Sequence, residues 1–227
     1  MLVWTAAPVA VVFVSVARMA FGRMAFGFLD PGPLIDGELE LVAPHRRWID
    51  DWVSGSESGP CRAARQQAED FLRLAPGGRQ NALPGSARVP AYHFWMRLHP
   101  ARGPILPRWA QGRPAAVPRP QIAGSIALRI GNTPDIELYL GHVGYNVHPF
   151  ARGNHYAERA CRLLRQLALA HGLSPLWITC NPDNHPSRRT CERLGATLVE
   201  LLPLPPNHAL RERGDREKLR FRWDIRL

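Results

Sequence analysis

The sequence predicts an α/β fold of the mixed (α+β) kind, with helices packed on a sheet whose strands do not simply alternate with them. Three observations predict it. Apolar residues make up 45% and charged residues 21% of 227, the balance of one globular domain long enough to bury a core. The elements run strand, two helices, several strands, helix, strand, helix, two strands, which is not the β-α-β-α order of a doubly wound chain. Residues 141–180 read as strand, polar turn, long helix, strand, a unit that closes as a right-handed crossover of parallel strands.

The elements follow from residue spacing. "GELELVAP" (37–44) alternates apolar and polar residues, as a half-buried strand does. In "HRRWIDDWV", Trp48, Ile49 and Trp52 fall at helical spacing. "CRAARQQAEDFLRLA" (61–75) places Ala64, Ala68, Phe71 and Leu72 on one helix face, and "PGGRQNALPGS" ends it. "VPAYHFWMRL" (89–98) and "IAGSIALRI" (122–130) are strands. Between them, residues 99–121 carry six prolines, which exclude regular helix and central strand, so this is read as a mobile insertion. "GHVGYNV" (141–147) is a further strand, and "DIELYL" (135–140) is expected to extend or precede it.

The next helix is the best-defined element. Ala157, Ala160, Cys161, Leu164, Leu167 and Ala168 repeat at i, i+3, i+4 and i+7, and Gly172 with Pro175 ends the run. "LWITC" (176–180) is a short buried strand. "NPDNHPSRRTCERLGA" (181–196) begins as a turn and becomes a helix from about Pro186, stopped by Gly195. "TLVELLPL" and "KLRFRWDI" are the last strands. The single domain spans 37–227 with the insertion at 99–121, and residues 1–28 form an apolar extension.

Charge narrows the partners less than its size suggests. The formal net charge is +10, but 28 of the 29 basic residues are arginine and Lys218 is the one lysine. With abundant Ala and Pro this resembles GC-rich coding, and the arginines are scattered. Nucleic acid is therefore not expected as a partner; an RNA-associated module would show tight, salt-dependent RNA binding. The cysteines, Cys61, Cys161, Cys180 and Cys191, form no C-x-x-C pair, so neither a disulfide framework nor a metal site is expected. Cys180, His185 and Cys191 lack the tight ligand pairing of structural zinc. The stretch "LVWTAAPVAVVFVSVA" (2–17) is short of a membrane span and lacks the basic start of a secretion signal. It is read as a peripheral anchor or as sequence ahead of an internal start, and the expected location is the cytoplasm.

The turn at Val147–Leu164, "VHPFARGNHYAERACRLL", has the layout of a phosphate cradle. A helix N-terminus offers unpaired N–H groups and partial positive charge. Arg152 adds a fork of donors suited to phosphate, and Gly153 and Asn154 tolerate unusual backbone angles. The wider segment, "GHVGYNVHPFARGNHYAERACRLLRQLA", resembles the coenzyme-binding segment of the GNAT superfamily of N-acetyltransferases: a strand, an R/Q-x-x-G-x-G/A turn and a long helix. "ITCNPDNHPSRRTCERLGA" resembles the segment that follows it in the family, with Asn184, Ser187 and Gly195 in the matching places. The resemblance is sharp over 141–195 and holds in outline over 37–225. It extends to a poorly characterised branch of predicted acetyltransferases through "VPAYHFW" and "IAGSIALRI".

The resemblance implies a mostly antiparallel sheet with a splayed parallel strand pair, flanked by helices, and acetyl-CoA as co-substrate. Main-chain groups of Tyr145, Asn146 and Val147 are then expected to pair with the pantetheine arm, and the Val147 amide to polarise the thioester carbonyl. The N–H groups of Arg152, Gly153, Asn154, His155, Tyr156 and Ala157 are expected to hold the pyrophosphate, and Asn184 and Ser187 to contact the coenzyme near its thiol. The acceptor amine, on a small molecule or a protein, attacks the thioester directly in a ternary complex. The protein itself is expected to be a monomer or homodimer.

The chain departs from the family at two places. His155 stands at the turn's middle glycine, where it either crowds the pyrophosphate, leans away or donates to phosphate. The family's tyrosine acid, seven residues after the Asn, is Cys191 here. The family's base positions fall on Gly141 and Val143, with His142 one place off. Tyr145 and Glu137 are further candidates, Glu137 through a water. The expected function is acetyl-CoA-dependent N-acetylation of a primary amine; the alternative is a non-catalytic acyl-CoA-binding sensor or partner protein.

Overall fold

Extended, apolar-patterned segments in this chain have to pair, and they do so in two separate sheets. The computed structural model describes residues 27–57, 61–82, 88–99 and 121–226. The larger sheet has the order β1-β2-β4-β5-β6, every neighbour antiparallel, with β3 against β4. Its strands are β1 (Ile35–Asp36), β2 (Leu39–Val42), β3 (Arg79–Gln80), β4 (Ala91–Leu98), β5 (Ile122–Arg129) and β6 (Val143–Val147). The smaller sheet, in the order β7-β9-β8, contains β7 (Leu176–Cys180), β8 (Thr197–Pro203) and β9 (Glu217–Trp223), again antiparallel.

Strand alternation decides what covers each face. On β4, Tyr92, Phe94 and Met96 turn to the main core, where they join Leu164, Leu167 and Ala168 of α3 (Tyr156–Ala170). Trp95 turns the other way, into a second core with Trp52 of α1 (Ile49–Gly55) and Ala64 and Ala68 of α2 (Arg62–Leu74). All six apolar positions read on the α3 face are buried. Arg159 ties α3 to the first hairpin through Asp36 (2.7 Å) and Glu38 (2.8 Å). The folded core begins ahead of Gly37: Leu34 is buried and Phe28 packs edge-on against Tyr92.

One expected strand is something else. Residues Ile136–Leu140 form a π-helical turn, not an extension of β6. Side chains from three strands take the carbonyls that a ladder would otherwise satisfy. Arg129 donates to Leu140 O (3.2 Å) and Gly141 O (3.0 Å), Thr179 to Tyr139 O (2.7 Å) and Arg220 to Glu137 O (2.7 Å).

The two sheets meet at one point. His142 N donates to Trp177 O (2.7 Å), and Trp177 N donates back to His142 Nδ1 (2.9 Å). Past this clasp β6 and β7 share no ladder and leave a gap between them. The proline-rich insertion and the apolar extension fall outside the described residues, apart from their edges. Among the described residues, no helix is long and apolar enough to cross a membrane, and no His, Cys, Asp and Glu group is arranged to hold a metal.

Candidate functional site

The gap is bounded on one side by the free edge of β6. His148 N–H bonds back to Ala123 O on β5 (2.8 Å), so alternation turns the main-chain groups of Tyr145 and Val147 toward the gap and those of Asn146 toward Ser125 on β5, which takes Asn146 out of the expected pairing with the pantetheine arm. Arg152 Nε already takes the Val147 carbonyl (3.0 Å). The edge can sit this close because residue 124 is glycine: a Cβ there would lie 2.0 Å from Asn146 O. At φ +150° Gly124 also holds a backbone angle that side chains rarely adopt.

After β6 a short helical turn, Pro149–Ala151, leads to the predicted cradle. Asn154 Nδ2 donates to Ala151 O (3.1 Å) and holds the loop. Gly153 has φ +86° and open space where a side chain would stand. His155 is the one non-glycine residue with positive φ among the described residues (φ 59°, ψ 19°); it occupies the N-cap position of α3, with no capping hydrogen bond from its side chain. Its side chain is exposed, which answers the question of crowding in part: the left-handed backbone, not the space available, is what favours glycine here. Arg152 differs from expectation. Its guanidinium pairs with Glu57, both groups half-exposed, so its charge is partly spent within the protein.

The opposite wall is α4 (His185–Leu194). Asn184 caps it, its Oδ1 accepting from Ser187 N (3.2 Å). Ser187 Oγ lies 2.9 Å from the Tyr145 hydroxyl, joining α4 to β6 across the gap. Burial pushes the Tyr145 phenol well above its ordinary range. Together these elements enclose a cleft of about 570 Å3, with Tyr145 and Ser187 at its inner end and Arg152, Gly153 and His155 on its rim.

The other catalytic candidates do not line the cleft. Cys191 lies beside the Tyr145 side chain, which hydrogen-bonds to it, but is completely buried; burial pushes its thiol up to about 12. His142 is also completely buried, and its ring is fully used: Nδ1 accepts from Trp177 N, and Nε2 bonds Asn132 Oδ1 (2.9 Å). Desolvation lowers its pKa to about 4, so it holds the sheets together as a neutral imidazole. Glu137 lies on the π-helical turn and lines neither cavity. Of the four, only Tyr145 reaches the cleft.

Sequence reasoning missed three groups. Arg189 and Arg193, one turn apart on α4, line the cleft. Arg188 is matched by Glu192 (3.0 Å), whereas no carboxylate partner is found for Arg189 or Arg193 among the described residues. The unmatched i,i+4 pair of like charges was legible as a signal. The third group is Lys218, beside a second cavity of about 200 Å3 in the gap; the signal was its being the one lysine.

Comparison with known proteins bears on the family and the fold. Residues 61–197 match the family model described as the acetyltransferase (GNAT) domain. Similar solved structures include one described as a ribosomal-protein-serine acetyltransferase from Vibrio cholerae, 18% identical, covering 86% of this chain and 99% of that one at a TM-score of 0.54. Another is the microcin C7 self-immunity acetyltransferase MccE in complex with acetyl-CoA and AMP, 15% identical, covering 84% and 94% at 0.52. A third is a GCN5-related N-acetyltransferase from Brucella melitensis, 15% identical, covering 88% and 81% at 0.54. At these identities the likeness is one of fold. No curated protein matches the chain.

Proposed function

Because the chain belongs to the GNAT family of acetyltransferases, we propose that it transfers the acetyl group of acetyl-CoA to a primary amine by direct attack in the gap between β6 and β7. The observation that carries this reading is the free β6 edge, which opens between the sheets beside the α3 N-terminus and ends at the Tyr145–Ser187 pair.

The residues suit each part of the coenzyme. The Tyr145 main chain and the Val147 carbonyl, which also accepts from Arg152, pair with the pantetheine amides as an added strand would. The α3 N-terminus, from Arg152 to Ala157, takes the pyrophosphate. Arg189 and Arg193 take the remaining phosphate, on the ribose; a ligand dianion relieves their mutual repulsion. Asn184 and Ser187 border the thiol end.

In the reaction the amine lone pair forms a C–N bond at the thioester carbon, and the carbonyl electrons move to oxygen. Val147 N–H donates to that oxyanion. Collapse breaks the C–S bond, and sulfur leaves with the electron pair. One proton must then pass from nitrogen to sulfur. Tyr145 gives its proton to sulfur and receives one from Ser187 Oγ, which receives one from nitrogen. Neither hydroxyl ends with a charge, as the buried phenol requires.

Titration with acetyl-CoA, followed by a thiol-release assay over a panel of amines, tests the reading. Binding with thiol release is the expected result. Binding without release from any amine supports a coenzyme sensor instead, and absence of binding defeats the reading.

A further inference from the structure

The second cavity meets the coenzyme cleft at three side chains, Tyr145, Asn184 and Ser187, which line both. A group that approaches the reacting carbon without being part of the coenzyme therefore has this cavity available. At about 200 Å3 it holds a small head group and not a whole drug-sized molecule.

Its charge is set by Lys218, only 9% exposed. Lys218 Nζ donates to Asp215 Oδ2 (2.7 Å) and to Asn181 Oδ1, and Asn181 Nδ2 donates to Asp215 Oδ1 (2.6 Å). This closed triad uses two of the three protons of the ammonium. Lys218 and Asn181 line the cavity, and no Asp or Glu is among its described lining residues. A cationic amine thus meets the Lys218 ammonium in the lining, while the carboxylate that pairs with it, Asp215, is not among the lining residues and leaves the amine no partner there. A neutral amine, the nucleophilic form, meets no such penalty. An anionic oxygen on the same molecule gains a charge-assisted hydrogen bond from the third proton.

Resting on the acetyltransferase reading above, we propose that the acceptor is a small amine carrying a carboxylate within a few bonds of its nitrogen, as a free α-amino acid does, and that Lys218 selects it by binding that carboxylate. Polyamines and simple alkylamines lack the group that Lys218 holds.

The test uses product pairs that differ by the carboxylate. The full chain is loaded with CoA and titrated calorimetrically with N-acetylglycine and N-methylacetamide, then with N-acetylserine and N-acetylethanolamine. The carboxylate of each pair is expected to bind about tenfold more tightly or better. Lys218→Met should remove the difference, and Asp215→Asn, which frees the ammonium from its counter-ion, should enlarge it. Glycine against methylamine as acceptors should repeat the ratio in kcat/KM. Equal binding within each pair, or no measurable binding by either carboxylate, overturns the proposal. If Lys218→Met fails to fold, a tighter carboxylate in Asp215→Asn supports it and an unchanged one overturns it. Failure of CoA itself to bind is a separate result, which defeats the acetyltransferase reading.

Discussion

The two walls of the gap are built from different materials. The β6–α3 wall offers main chain: a free strand edge and the first N–H groups of a helix. The α4–β9 wall offers side chains: Asn184, Ser187, Arg189, Arg193 and Lys218. A main-chain site depends on where the backbone runs and tolerates changes of residue, so His155 can stand at a glycine position. A side-chain site depends on each residue, so it varies with the ligand.

The largest expected effect breaks the main-chain wall from behind. In Gly124→Ala the new methyl needs the space of Asn146 O, 2.0 Å away, and must push β6 out of line. Roughly 2–4 kcal/mol of stability should be lost in a denaturant melt, with acetyl-CoA affinity falling more than tenfold. A normal affinity would mean that the edge is not what binds the coenzyme.

Tyr145→Phe tests the point where the walls touch. It keeps the ring and removes the hydroxyl bonded to Ser187. Turnover should drop about 100-fold while acetyl-CoA affinity stays within a few-fold. Ser187→Ala should cost about as much, and the double variant little more, since one relay is broken in each. Additive losses would separate the two hydroxyls.

The clasp that sets the gap should respond to pH. His142 is neutral in the fold with a pKa lowered to about 4, below the ~6.5 of an unfolded histidine. Between these values the unfolded chain binds more protons, so the stability is complete above about pH 6.5 and is lost as pH falls toward 4. The contribution is of the order of 3 kcal/mol. His93 and His148, also lowered to about 4 by burial, add to the same window; melting followed from pH 7 to 4 should show the decline, and His142→Gln should make it shallower by one histidine's share.

Smaller effects sharpen the contrast. Replacing Arg189 and Arg193 with alanine should weaken acetyl-CoA binding about tenfold and leave binding of its 3′-dephospho analogue nearly unchanged. The same loss for both ligands would move these arginines to the pyrophosphate. His155→Gly relieves a left-handed backbone, worth about 1 kcal/mol, and should raise the melting temperature slightly with little change in coenzyme affinity. A marked loss of affinity would make the imidazole a ligand contact.

How much was legible in advance follows the same division. The α3 stripe, the turn and the Asn184 cap were readable because they are local: spacing along one helix and one loop determines them. "DIELYL" was misread because Arg129, Thr179 and Arg220 reach its carbonyls from elsewhere in the chain. His142 and Cys191 looked catalytic because titratable residues near a motif carry no mark of burial; Trp177 and Asn132 occupy the one, and full burial encloses the other.

By itself the sequence determined the fold class, the α3 and α4 helices and the turn between β6 and α3, since hydrophobic period and capping residues act over a few positions. Tertiary structure alone decided the opening between β6 and β7, the meeting of Tyr145 with Ser187 across 42 residues, and the triad around Lys218. These depend on strands brought together from distant parts of the chain, where no local spacing records which side chains will face each other.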